Sequence, residues 1–64
     1  MNETRFINEY EVATITALSV QTLRNWRNQG KGIPYVKAGR SVRYKYQDVI
    51  TYMDARKILP REYA

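Results

Sequence analysis

The sequence predicts a mainly α domain with one small β-hairpin, its elements following in the order α-α-β-β-α. Three observations carry that expectation. Two short helical patterns follow one another across a three-residue connector, Ala17-Leu18-Ser19. Two short extended runs then flank Gly39-Arg40-Ser41. After Gln47 an apolar one-turn repeat resumes and stops before Leu59-Pro60. The 64 residues make one domain at most, with a core expected over about 6–58 and a loose tail over 59–64. A chain this short buries only about 60% of the surface it exposes when unfolded, so each apolar position counts.

The first helix is expected from about Glu9 to Thr16. Asn8 is placed to cap it, and Glu9 and Glu11 suit the positive end of its dipole. Val12 and Ile15 stand three apart beside Ala13 and supply its apolar stripe. The β-branched run Thr14-Ile15-Thr16 is a weak helix former and ends it. Ser19 reads as the N-cap of a second helix, Val20 to Gln29, closed by Gly30. Two short helices on a connector of this length make a helix-turn-helix. Tyr35–Ala38 and Val42–Tyr46 form the hairpin, Val42, Tyr44 and Tyr46 alternating with Arg43 and Lys45 so that one strand face is apolar and the other positive. Gly39 supplies the positive φ of a tight turn. The last helix starts near Gln47, with Asp48 in its first turn, and runs to about Lys57. Val49, Ile50 and Met53 give it a core face, while Arg56 and Lys57 complement its C-terminal dipole. The whole is a winged helix-turn-helix.

Charge narrows the function. Eleven Lys and Arg against six Asp and Glu leave a net +5, and the sequence pI is about 9.8. No acidic residue lies between Val12 and Gln47, yet that stretch holds Arg24, Arg27, Lys31, Lys37, Arg40, Arg43 and Lys45. A one-sign block inside a mixed chain is the footprint of a polyanion binder. With neither Cys nor His, a structural zinc site or a disulfide is not expected. The chain offers no nucleophile–base pair and no phosphate-cradling glycine loop, since Gly30 and Gly32 lack the P-loop lysine spacing. Asp48 and Asp54 lie six apart on one helix and diverge, so they make a poor metal pair. No catalytic residue, cofactor or metal is therefore expected. No apolar run approaches the roughly 18 residues of a membrane span, and the expectation is a soluble cytoplasmic protein, nucleoid-associated when bound.

The second helix carries the recognition argument. With Val20 as origin and about 100° per residue, Leu23 falls near 300° and Trp26 near 240°, forming an apolar arc towards the core. Arg27 falls inside that arc, and its long stem is expected to reach out to solvent or phosphate. Arg24 near 40°, Asn28 near 80°, Gln21 near 100° and Asn25 near 140° occupy the other side. Gln and Asn pair bidentately with adenine, and Arg pairs with guanine or grips phosphate. Gln21, Arg24, Asn25 and Asn28 are thus the expected major-groove set, with Trp26 a core anchor behind them. Thr22 either packs near the turn or donates to phosphate. Arg40 at the hairpin tip is suited to an adjacent, A·T-rich minor groove. Ser19, Thr22, Arg27, Lys37, Arg43 and Lys45 are the expected backbone contacts.

Taken together, Glu11-Val12-Ala13, Ser19-Val20-Gln21-Thr22-Leu23-Arg24-Asn25-Trp26-Arg27, Gly30, Ile33-Pro34, Val36-Lys37, Gly39-Arg40, Arg43-Tyr44 and Asp48-Val49 resemble the excisionase-type DNA-binding domain. That group is a small winged helix-turn-helix related to the DNA-binding domain of the MerR regulators. The resemblance spans roughly residues 6–56. It implies that Gln21 and Asn25 face the major groove, that Arg24 contacts backbone or base, and that Arg40 enters the minor groove. It also implies an architectural role: cooperative, head-to-tail binding that bends double-stranded DNA and directs a tyrosine or serine integrase towards excision. Relatives in the same group regulate transcription of phage or mobile-element genes, which is the alternative reading. Gln21 and Asn25 stand where some relatives carry acidic and basic residues, so a target sequence is not carried over. No counterpart of the long dimerising helix of the MerR regulators is present, and no Cys to sense a metal, so effector sensing is not expected. A third class, a protein-interaction module whose basic face meets an acidic protein, predicts no useful affinity for duplex DNA. The tail 58–64 is read either as a contact for an integrase or a neighbouring copy, or as a frayed terminus.

Overall fold

The computed structural model describes residues 4–60. A short strand β1 (Phe6–Ile7) leads into helices α1 (Glu9–Thr16) and α2 (Val20–Asn28), the hairpin strands β2 (Val36–Ala38) and β3 (Ser41–Lys45), and helix α3 (Tyr46–Ala55). Three helices around a small antiparallel sheet form a winged helix-turn-helix, as the sequence predicted.

Local chemistry explains each boundary. Asn8 caps α1 in a reciprocal box. Its side chain accepts from the Glu11 amide at 2.8 Å, and the Glu11 carboxylate accepts from the Asn8 amide at 2.9 Å. At the far end the Thr16 hydroxyl donates to the Val12 carbonyl at 2.7 Å and accepts from the Leu18 amide at 3.2 Å. Ala17 turns the chain with φ 61°, a left-handed conformation that L-residues adopt at a cost. Ser19 then caps α2 by accepting from the Thr22 amide at 3.0 Å.

Boundaries shift by one or two residues from those the pattern gave. Helix α2 ends at Asn28 rather than Gln29, which serves as its C-cap. The hairpin strands begin at Val36 and Ser41, and Tyr46 opens α3 instead of closing β3. Helix α3 stops at Ala55, so Arg56 is its C-cap and Lys57 lies beyond it. Arg56 nevertheless serves the helix end, donating to the Tyr52 carbonyl at 3.2 Å with its guanidinium 3.4 Å from the Tyr52 ring centroid. Residues 61–64 of the expected tail lie outside the described residues, while Ile58 and Leu59 are 88% and 77% exposed.

Strand β1 is the element that the sequence did not announce. It pairs antiparallel with β3, Phe6 opposite Lys45 and Ile7 opposite Tyr44, giving the sheet order β1-β3-β2. Two residues are too few to show an alternation, so no periodicity marks them. Their register is fixed instead by Ile7, which reaches the core.

Among the described residues the core contains six buried apolar side chains: Ile7, Val12, Leu23, Ile33, Tyr44 and Val49. Each comes from a different part of the chain: β1, α1, α2, the α2–β2 loop, β3 and α3. Trp26 packs against this cluster from α2, its ring 6.0 Å from Tyr52 of α3, as expected of an anchor. Of the expected members, Ile15, Ile50 and Met53 are not there, Ile50 being only half-buried. Ile15 is 41% exposed and Met53 37% exposed. Packed against the core are Ala13 and Leu18 in and after α1, and Tyr46 and Tyr52 on α3. Each short helix contributes one fully buried residue, and half-buried neighbours such as Ala13, Trp26 and Tyr52 pack around it.

Candidate nucleic-acid interface

Helix α2 is pinned to the core by Leu23 and Trp26, which leaves Gln21, Arg24, Asn25 and Asn28 exposed along the opposite side. Gln21 and Asn25, one turn apart, are joined directly: Gln21 Nε2 donates to Asn25 Oδ1 at 2.9 Å. The pair therefore presents Gln21 Oε1 as an acceptor and Asn25 Nδ2 as a donor, the two groups that an adenine edge requires. At the start of α2 the Ser19 hydroxyl donates to Thr22 Oγ1 at 2.8 Å while accepting from the Thr22 amide. Thr22 is thus part of the capping turn, with its own hydroxyl proton still available to be donated.

The hairpin stands beside this helix. Val36 pairs with Arg43, Lys37 with Val42 and Ala38 with Ser41, and Gly39 takes φ 64° in the turn, so Arg40 projects at the tip. Tyr44 is buried and Val42 half-buried, whereas Ser41, Arg43 and Lys45 are exposed, which is the apolar-inside, positive-outside alternation expected. Lys37 and Arg40 are exposed as well, and Arg43 Nη1 donates to the Val42 carbonyl at 2.8 Å. Between α2, the start of α1 and the hairpin lies an open cleft lined by Arg24, Arg27, Arg40 and Arg43, with Glu9 and Asn8 at its α1 side.

Glu9 does more in the cleft than complement the α1 dipole, the one role that the sequence indicates for it. Its carboxylate holds two arginines at once. Arg24 donates side-on, Nε to Oε1 at 3.2 Å and Nη2 to Oε2 at 2.6 Å, and Nη2 also donates to the Tyr10 hydroxyl at 3.2 Å. Arg27 Nη2 donates to Oε1 at 3.1 Å and its Nη1 to the Tyr44 hydroxyl at 2.7 Å. The Arg27 guanidinium also lies 5.8 Å from the Tyr35 ring centroid. Arg27 was expected to reach outwards, but its side chain is only 16% exposed. The hydroxyl of a buried tyrosine and a carboxylate inside the fold satisfy it better than water does. Arg24 remains 46% exposed.

These contacts set the electrostatics. The Arg24 hydrogen bond holds Glu9 below the usual glutamate range against the opposing effect of burial, and Arg27 adds to the lowering. The Glu9 hydrogen bond and charge raise Arg24. Burial alone would lower Arg27, but the Tyr44 hydroxyl and Glu9 outweigh it and the net shift is upward. No local pattern links Glu9 to residues fifteen and eighteen positions away. The only signal in the sequence was Arg27 standing inside an apolar arc, where a long basic side chain needs an internal partner.

A helix-turn-helix domain family model matches residues 11–57, from within α1 through α2 and the hairpin to just beyond α3. The chain belongs to this excisionase-like family. It is thus a helix-turn-helix DNA-binding domain, with α2 in the position of the second helix of the motif. No characterised protein and no solved structure matches the chain. Among the described residues, no helix is long and apolar enough to cross a membrane.

Proposed function

We propose that the protein is a recombination directionality factor of a phage or other mobile element. It binds adjacent sites on double-stranded DNA cooperatively and head to tail, bends the duplex, and directs a tyrosine or serine integrase towards excision. Family membership supports the reading, and one geometric observation carries it. Arg24 and Arg27 of α2 and Arg40 and Arg43 of the hairpin line a single open cleft, an arrangement that suits a helix in a major groove beside a wing in the neighbouring minor groove.

In this reading Gln21 and Asn25 act together on an adenine edge, Asn28 extends the same face, and Arg24 at its edge contacts backbone or base. Arg40 enters the minor groove, while Ser19, Thr22, Lys37, Arg43 and Lys45 neutralise or hydrogen-bond phosphates. Arg27 acts from inside, holding Tyr44 and Glu9 in place instead of touching the duplex.

The test is titration of a fragment carrying the gene's own attachment region, followed by electrophoretic mobility and by a circular-permutation bending assay. Stepwise, cooperative occupancy of several sites with a bend is the expected result. A single non-cooperative site on unbent DNA replaces this reading with that of an operator-binding regulator. Arg40→Ala is expected to relax the preference at A·T-rich flanks. A uniform loss on all sequences would limit Arg40 to phosphate contact.

A further inference from the structure

The charge arrangement in the cleft contains a contradiction. An interface that gains affinity from phosphate contacts gains nothing from a carboxylate among its arginines, yet Glu9 holds Arg24 through the side-on donor edge that would grip an anion. We propose that Glu9 is an internal stand-in for a DNA phosphate: it occupies Arg24 in the free protein, and a phosphodiester at the α2 side of the cleft displaces it on binding. The inference rests on the reading of α2 and the hairpin as the duplex-binding face.

Three features of the structure support the exchange. First, Arg24 is the outer arginine of the pair, 46% exposed, and is tied only by Glu9 and the Tyr10 hydroxyl, whereas Arg27 is 16% exposed and tied to Tyr44 as well. Second, releasing Arg24 does not orphan Glu9, because Arg27 Nη2 still donates to Oε1 at 3.1 Å. The carboxylate keeps a cationic partner in both states, so the exchange avoids the large cost of an uncompensated charge. Third, Arg40 and Arg43 line the same cleft, so an anion entering it meets further guanidinium groups once Arg24 turns outward. Tyr10, itself 60% exposed, is free to exchange its weak contact for water.

The consequence is a damper on affinity: every duplex must break the Glu9–Arg24 pair before Arg24 contributes. Arg24→Gln should then cost little in the wild type, where the lost phosphate contact is offset by the pair that no longer has to break. In a Glu9→Gln background the same change should cost much more.

The test is a double-mutant cycle of Glu9→Gln and Arg24→Gln, read as Kd for random-sequence and attachment-site duplexes across several salt concentrations. Glu11→Gln is the control, because it makes the same charge change two residues away and keeps the side-chain oxygen that caps α1. Glu9→Gln is expected to tighten binding roughly two- to fivefold, the equivalent of one exposed ion pair, and Glu11→Gln by less. Arg24→Gln is expected to lower the salt slope by about one in both backgrounds, the loss of one phosphate contact. Circular dichroism checks that each variant is folded. Binding by Glu9→Gln no tighter than by Glu11→Gln, an additive cycle, or an unchanged slope on Arg24→Gln each overturns the proposal while leaving duplex binding intact. Absence of wild-type binding to any duplex at low salt removes the duplex-binding face itself, and the inference with it.

Discussion

Replacing Gly32 with alanine should destabilise the fold far more than the same replacement at Gly39. Both glycines have positive φ, 95° and 64°, so both variants meet backbone strain. What differs is the space around the new methyl group. A Cβ at Gly39 would have no heavy atom within 4 Å, whereas a Cβ at Gly32 would lie 2.7 Å from Cε3 and 2.8 Å from Cβ of Trp26. Trp26 has little room to yield. It packs on the core, its ring sits 6.0 Å from Tyr52, and its carbonyl accepts from the Lys31 amide at 2.9 Å. Strained φ costs about 1–3 kcal/mol and overpacking about 1–3 kcal/mol more, so Gly32→Ala should lose about 2–6 kcal/mol. A domain of this size holds only about 3–10 kcal/mol in total. Gly39→Ala should lose about 1 kcal/mol from φ alone. At about 4–8 °C per kcal/mol, a difference of about 1–5 kcal/mol should lower the melting temperature of Gly32→Ala below that of Gly39→Ala by at least about 4 °C. Thermal unfolding followed by the fluorescence of Trp26, the single tryptophan, reports both stability and the environment of the displaced ring. Equal melting temperatures would refute the argument that Gly32 exists to let the α2–β2 loop approach Trp26.

Three further predictions concern the polar network. Arg27→Met should lower the urea midpoint more than Tyr44→Phe, because it leaves a buried hydroxyl without a partner at a cost of about 1–3 kcal/mol; the double variant should recover part of that loss. Glu9, held down chiefly by Arg24, binds fewer protons folded than unfolded near its titration, so its contribution is complete above about pH 4.3 and is lost as pH falls through its lower folded value. Acid titration of the wild type should therefore show a steeper loss of stability below that pH than titration of Glu9→Gln, and parallel curves would exclude the Glu9 contribution. Because Gln21 and Asn25 are hydrogen-bonded to each other, Gln21→Ala and Asn25→Ala should each cost about 1–3 kcal/mol of base discrimination, and the double variant much less than their sum, as measured by competition between duplexes differing at one base pair.

What the sequence made legible was what local chemistry governs. Asn8 and Ser19 cap the helices they were expected to cap, and Val42 and Tyr44 turn inward between exposed neighbours. Leu23 and Trp26 orient α2, so the exposed polar face followed from helical periodicity alone. What stayed hidden depends on partners distant in the chain. Strand β1 is defined by its pairing with β3, not by any pattern in two residues. Met53 and Ile15 satisfy a helical repeat yet are partly exposed, while Tyr52 and Ala13 pack against the core. Glu9 looked like a dipole complement and is also the carboxylate that two arginines share.

That shared carboxylate ties the stability of the domain to its electrostatics. With one buried apolar side chain from each of six segments, the core gives each element a single anchor. The Glu9–Arg27–Tyr44 chain adds a second tie joining α1, α2 and β3, at the place where the helix-turn-helix meets the wing. Arg27 thereby sets how the polar face of α2 lies relative to the hairpin without belonging to that face. Arg24 hangs from the outer side of the same carboxylate and remains exchangeable. Two arginines three residues apart on one helix thus divide their roles by depth: the inner one fixes the geometry of the cleft, and the outer one supplies its movable charge. Substitutions at Arg27 should therefore register first in unfolding and only through it in binding, while substitutions at Arg24 should register in the salt dependence of binding with the fold intact.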